Sequence, residues 1–129
     1  MTGLVGELRI RFTREEPGRV EAEMPITDAI RQPYGLVHGG ATLALLETVA
    51  SRGSELAADL SREQPYGVDV HVRHRAPGRE GTLHAEAQLD REEPSSKGHR
   101  KLWWRVRATD DVGAVISEGE ILCLLVAKG

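Results

Sequence analysis

The side chains best suited to chemistry fall in one short stretch: Gln32, His38, Gly39, Gly40, Glu47 and Ser51. His38-Gly39-Gly40 marks the start of the longest helical pattern in the chain. A helix that opens on glycines offers unpaired backbone N–H groups and the positive end of the helix dipole. Such an end can hold an oxyanion developing on an attacked carbonyl. Glu47 supplies a carboxylate, a candidate nucleophile or general base. Gly39 and Glu47 are eight residues apart, roughly 12 Å along a helix at 1.5 Å per residue, so one helix cannot present both to one carbonyl. Two antiparallel copies related by a two-fold can. A site built on this pair therefore belongs to a dimer.

The helix itself is read from its apolar spacing. Leu43, Leu46, Val49, Ala50, Gly53, Leu56, Ala57 and Leu60 recur at three-four intervals, which predicts one buried side, and Pro65 lies beyond its end. At about 100° per residue, Gly40, Ala44, Ser51, Ser54 and Ala58 share the side of Glu47 and form a shallow groove. Thr48, Arg52, Glu55 and Asp59 form a solvated flank. Glu47 thus borders the apolar face among small neighbours, a costly place for a carboxylate without a task. An ordinary helix Glu is simply solvated; the glycines and Ser51 set this one apart.

Gln32-x-x-Gly35-x-x-His38-Gly39-Gly40, with Glu47 seven residues after the second glycine and Ser51 four later, resembles the hotdog-fold acyl-CoA thioesterases. The similarity is to the branch with a helix Glu, typified by one form of 4-hydroxybenzoyl-CoA thioesterase. The enterobactin proofreading and 1,4-dihydroxy-2-naphthoyl-CoA thioesterases belong to that branch. The PaaI-like branch is similar but usually carries Asn at the Gln32 position and Asp at the Glu47 position.

The resemblance implies hydrolysis of an acyl- or aroyl-CoA thioester without metal or organic cofactor. Gly39 would give its N–H to the thioester oxygen, and Gln32 would bond near the same carbonyl or the leaving sulfur. Glu47 of a second copy would attack the carbonyl or activate water, and Ser51 would orient that water or the carboxylate. His38 would shape the pocket entrance, with Gly40 beside the substrate. The turn Ser95-Ser96-Lys97 and Arg100 would lie near the nucleotide end of coenzyme A. A homodimer would be required, and a homotetramer is the expected assembly of such dimers. On spacing alone, a solvated basic turn is the favoured reading of Ser95, Ser96, Lys97 and Arg100.

The remaining elements suit this fold. Leu8, Ile10 and Phe12, then Val20, Ala22, Met24 and Ile26, alternate about Glu16-Pro17-Gly18, predicting a hairpin over 4–14 and 19–26. After the helix, Val68, Val70 and Val72 alternate, then Leu83 to Leu89, then Leu102, Trp104, Val106 and Ala108, then 114–126. Short links between these strands favour antiparallel pairing. The expected class is α+β, a hotdog fold in which a curved antiparallel sheet wraps one long α-helix, as a single domain over 1–129. Trp103 and Trp104 point to opposite faces, so only one of them faces the core.

Composition narrows the function classes. The net charge is −3, so nothing marks a nucleic-acid binder. Cys123, the single cysteine, lies in an apolar run and suits a reducing compartment. No membrane span or signal peptide pattern is seen, so a cytoplasmic protein is expected. His71, His74 and His84 show no metal-ligand spacing and are read as sheet-face residues. Serine hydrolases and phosphate-binding loops lack their motifs here. A non-catalytic acyl-CoA binder, acting as a sensor or a structural dimer module, is the alternative. A hydratase would need an Asp and His pair that the sequence does not show.

Overall fold

The computed structural model describes residues 3–129. A short helix α1 (Gly3–Glu7) precedes strands β1 (Arg11–Glu16) and β2 (Arg19–Pro25). The long helix α2 (Gly39–Ala57) follows, then β3 (Glu63–His74), β4 (Thr82–Pro94), β5 (Arg100–Thr109) and β6 (Val115–Ala127). All strand pairs are antiparallel, in the order β1-β2-β4-β5-β6-β3. The curved sheet with one long helix is the hotdog fold. Helix α2 carries the chain from β2 across the sheet to its far edge, where β3 pairs only with β6. No helix among the described residues is long and apolar enough to cross a membrane.

The helix begins where its own sequence caps it. His38 is extended, and its Nδ1 accepts the Gly40 N–H at 3.0 Å, satisfying one of the orphan donors of the first turn. It ends at Ala57, after which Ala58 turns extended and Asp59 accepts the N–H groups of Ser61, Arg62 and Glu63. The buried side comprises Thr42, Leu45, Leu46, Val49, Ala50, Gly53 and Ser54. It packs against alternate residues of the sheet, among them Met24, Leu83, Leu102, Trp104, Val106 and Ile121.

One contact fixes how the helix lies on the sheet. The Trp104 ring rests on Gly53 so closely that a Cβ there would stand 2.8 and 2.9 Å from indole carbons Cζ2 and Cζ3. The indole N–H donates to Ser54 Oγ at 2.9 Å, and the Ser54 hydroxyl donates to the Ala50 carbonyl at 2.9 Å. All polar atoms of this buried pair are thus partnered. Trp103 points outward, beneath Arg91, whose guanidinium lies 4.3 Å from its ring centre.

The structure corrects four expectations. Residues 3–7 are helical, so the strand expected over 4–14 begins only at Arg11. Leu45 lies in the core, whereas Leu56 and Leu60 are exposed and Leu43 only half-buried, because the buried stripe is rotated toward Thr42 and Ser54. Ser54, expected in the groove, is therefore in the core. Val68 and Val70 are 51% and 40% exposed, and only Val72 packs on the core, because β3 is an edge strand paired on one side alone and breaks register between Gly67 and Asp69.

Gly53→Ala tests the helix seat. Helix propensity alone favours Ala by about 1 kcal/mol, yet overpacking against Trp104 is expected to win and cost about 1–3 kcal/mol net. Thermal unfolding decides; a raised Tm would show that the contact does not constrain the helix.

Candidate functional site

Two cavities border α2, one at each end of the motif. The first, about 370 Å³, is lined by Gln32, Leu36, Gly39, Thr42, His74 and Arg75, among others. Its wall is the loop entering the helix, pinned by Val37 N–H to the Gly78 carbonyl and His38 N–H to the Ile30 carbonyl, at 2.8 and 2.7 Å. Gly35, at φ +84°, closes the turn, with its N–H on the Gln32 carbonyl. The Gln32 side-chain oxygen accepts the Tyr34 N–H at 2.9 Å, which leaves its NH₂ free to donate. Among the described residues, the Gly39 N–H has no hydrogen-bond partner.

His74, taken from sequence as a sheet-face residue, stands directly over Gly39. A Cβ at Gly39 would lie 2.9 Å from His74 Nε2. The ring is oriented by a 2.7 Å hydrogen bond between Nδ1 and the Ser117 hydroxyl on β6. Nothing in sequence links these residues. They meet because β3 and β6 pair with His74 opposite Ser117. His38 and Gly40 form the helix cap, where the Gly40 N–H is donated to His38 Nδ1.

The second cavity, about 410 Å³, holds Glu47 with Ala44, Thr48, Ser51, Arg52 and Glu55 of α2, and Leu4, Val5 and Phe12 opposite. The Glu47 carboxylate lies over the backbone of β3: a Cβ on Gly67 would come 2.9 Å from Oε1. Thr48 and Arg52, expected on a solvated flank, belong to this cavity. Arg52 is held by Glu15, Nε to Oε1 at 2.7 Å.

The structure therefore brings Gln32 to Gly39, and Ser51 to Glu47, but it does not bring the two pairs together within one chain. The turn Ser95–Lys97 and Arg100 is farther still. Arg100 Nη2 donates to the Ala57 carbonyl, at the opposite end of α2 from Gly39. Its guanidinium also grips both oxygens of Glu63, at 2.9 and 2.8 Å, and pairs with Glu92. Arg100 is thus committed to joining β3, β4, β5 and the end of α2, with little left for a phosphate. Ser95, Ser96 and Lys97 make no side-chain hydrogen bond among the described residues. No group of His, Cys, Asp and Glu there could hold a metal ion.

Residues 34–116 match the model of the thioesterase superfamily. The chain is 33% identical over 110 residues to the proofreading thioesterase EntH of Klebsiella pneumoniae, covering 85% of this chain and 76% of that one. It is 30% identical over 110 residues to the 1,4-dihydroxy-2-naphthoyl-CoA hydrolase of Escherichia coli, with the same two shares. A crystallised glutamine-to-alanine variant of a Staphylococcus aureus thioesterase superposes with a TM-score of 0.87 at 26% identity, covering 99% of this chain and 100% of that one.

The Arg100 clamp predicts an acid-sensitive stability. Hydrogen bonds from Arg100 hold the Glu63 carboxyl down at about 2, from an ordinary 4.5. This stabilisation is complete above the unfolded value and is lost as pH falls from 4.5 toward 2. Glu63→Gln is expected to lower stability at pH 7 by about 1–2 kcal/mol after solvent screening, and to flatten the pH dependence in that window. Denaturant midpoints measured from pH 2 to pH 7 check it.

Proposed function

This chain belongs to the thioesterase superfamily and is a thioester hydrolase; from that premise we propose that it cleaves acyl- or aroyl-CoA at a site completed by a second copy. In this reading Gly39, Gln32 and His74 of one chain face Glu47 and Ser51 of the other. The observation that carries it is the separation just described: an unspent Gly39 N–H in one cavity and a carboxylate in another. A two-fold with antiparallel helices superposes the halves.

The edge strand supports such a dimer. One side of β3 is unpaired along twelve residues, and Tyr66, Val68 and Val70 on it are 54%, 51% and 40% exposed. A long apolar edge invites a further strand. A second β3 would cover it, burying the residues that the single chain leaves out.

The chemistry follows from the groups present. The thioester oxygen gains negative charge as the carbonyl carbon is attacked, and the Gly39 N–H and the Gln32 amide stabilise it, worth roughly 3–4 kcal/mol for one such donor. Glu47 attacks the carbon itself or takes the proton of an attacking water, which Ser51 orients. The C–S bond then breaks, and the sulfur of coenzyme A leaves as thiolate and takes up a proton; where Glu47 is the nucleophile, water then hydrolyses the mixed anhydride, releasing the acid and restoring the carboxylate. An aromatic acid fits the name of one relative, the 1,4-dihydroxy-2-naphthoyl-CoA hydrolase, which aligns over 85% of this chain.

Glu47→Gln is expected to lower turnover at least about a hundredfold, the scale of losing a positioned acid–base group, with the dimer intact. Gly67→Ala keeps the carboxylate but pushes it aside; a loss of about tenfold or more in kcat is expected. Mixed subunits test the shared site most directly. Glu47→Gln and Gln32→Ala chains, each nearly inactive alone, should on exchange recover about a quarter of wild-type activity, since half the dimers hold one intact site. No recovery after confirmed exchange would place both groups in one chain's site. Binding of acyl-CoA without free-thiol release by the wild type would favour the sensor.

A further inference from the structure

Ser117 of β6 is fully buried and takes no part in the reaction above. It faces His74 across the β3–β6 pairing, and its Oγ lies 2.7 Å from His74 Nδ1. The backbone holds the two together. Just beyond His74, the N–H groups of Arg75 and Ala76 both donate to the Ile116 carbonyl, at 2.7 and 3.2 Å, which ties the end of β3 to the residue before Ser117. Among the described residues the Ser117 hydroxyl has no other hydrogen-bond partner. That decides the direction of the bond. A hydroxyl has one hydrogen to give, and a buried one left without an acceptor is costly. With the ring's proton on Nδ1, the ring would donate to Oγ and strand the serine hydrogen in the core. With Ser117 as donor to Nδ1, both atoms are satisfied, and the neutral ring carries its proton on Nε2.

Nε2 is the ring atom nearest Gly39, on the wall of the cavity that Gln32 also lines. A Cβ on Gly39 would stand 2.9 Å from Nε2 and 3.4 Å from both Cδ2 and Cε1. Distances so alike put residue 39 against the face of the ring, not in line with an Nε2–H, so that hydrogen is not spent on it. No other residue among those described bonds to Nε2. We infer that Ser117 is a positioning residue whose buried hydroxyl holds the His74 proton on Nε2, and that this N–H is a further donor to the oxygen of the bound thioester. The thioester as ligand rests on the proposed function; the place of the proton does not. The cavity then gathers the Gly39 N–H, the Gln32 NH₂ and the His74 Nε2–H. A donor fixed beforehand gains most as the oxygen takes on charge, because nothing has to reorganise at that moment. With its proton on Nδ1, the ring would turn a lone pair toward that oxygen and repel it. Glycine at position 39 has a second use here: its bare Cα lets the ring lie this close.

NMR of the nitrogen-labelled wild type, at about pH 8 where an ordinary imidazole is neutral, reads the tautomer. The His74 signals, assigned through its backbone, should show Nε2 protonated and Nδ1 bare. Ser117→Ala should turn this into a mixture of the two tautomers. A wild-type proton on Nδ1, or a mixture there, would overturn the assignment, and that spectrum stands even where Ser117→Ala does not fold. Kinetics add a second arm. Ser117→Ala should lower kcat about tenfold and leave KM within about twofold, because a transition-state donor is misaimed while ground-state binding is kept. On a His74→Ala background the same substitution should cost nothing more, since Ser117 acts only through the ring. An equal loss on both backgrounds would make Ser117 a packing residue and sink the proposal, as would full turnover in a folded Ser117→Ala. A wrong tautomer in an active hydrolase fails this inference alone. A proton on Nε2 in a wild type that releases no thiol fails the proposed function, and the donor's task falls with it.

Discussion

Everything in this molecule depends on how one helix lies in one sheet, and a tryptophan on a glycine sets that. Trp104 is fully buried, the far edge of its ring packed against Gly53 and its N–H on Ser54. A ring this large can be accommodated only where the helix has no side chain, so the contact fixes the depth and the rotation of α2 together. Rotation decides which residues leave the core. It buries Thr42 and Ser54 and turns Glu47 out over the edge strand, against Gly67. The absent side chain at Gly67 is what lets the carboxylate approach β3.

The same helix divides the polar groups by its length. Its start carries the unspent Gly39 N–H beneath His74, its middle carries Glu47 and Ser51, and its end is tied by Arg100. A rigid rod cannot bring its start and its middle to one atom. In the proposed dimer, the exposed edge of β3 and the separation of the halves are met together. Pairing edges would bury exposed valines and oppose the helices in one step. The two sheet faces also differ in kind: the concave face is apolar and closed by α2, while the outer face is a lattice of arginines and carboxylates. Arg75 borders both that outer face and the cavity of Gly39.

Much of this was legible in the chain itself. The period of three to four after Gly40 and the strict alternation of Leu102, Trp104, Val106 and Ala108 specify a long helix and a one-sided strand, because both patterns are set by backbone geometry alone. The motif from Gln32 to Ser51 was legible for the same local reason: capping, glycine and carboxylate chemistry at fixed spacings on one helix. What failed was whatever depends on neighbours distant in sequence. Val68 and Val70 alternate like core residues, but an edge strand has nothing over them. Residues 3–7 lack a strand partner and coil instead.

The sequence by itself determined the element order, the helix and its cap, and the spacing of the polar residues proposed for thioester hydrolysis, because these are encoded within one turn or one strand. Only the tertiary structure decided that His74 stands over Gly39 and against Ser117, and that Arg100 is consumed by Glu63. Each of these joins strands paired across dozens of residues, and the pairing is chosen by the whole core, with Trp104 at its centre, rather than by any local pattern.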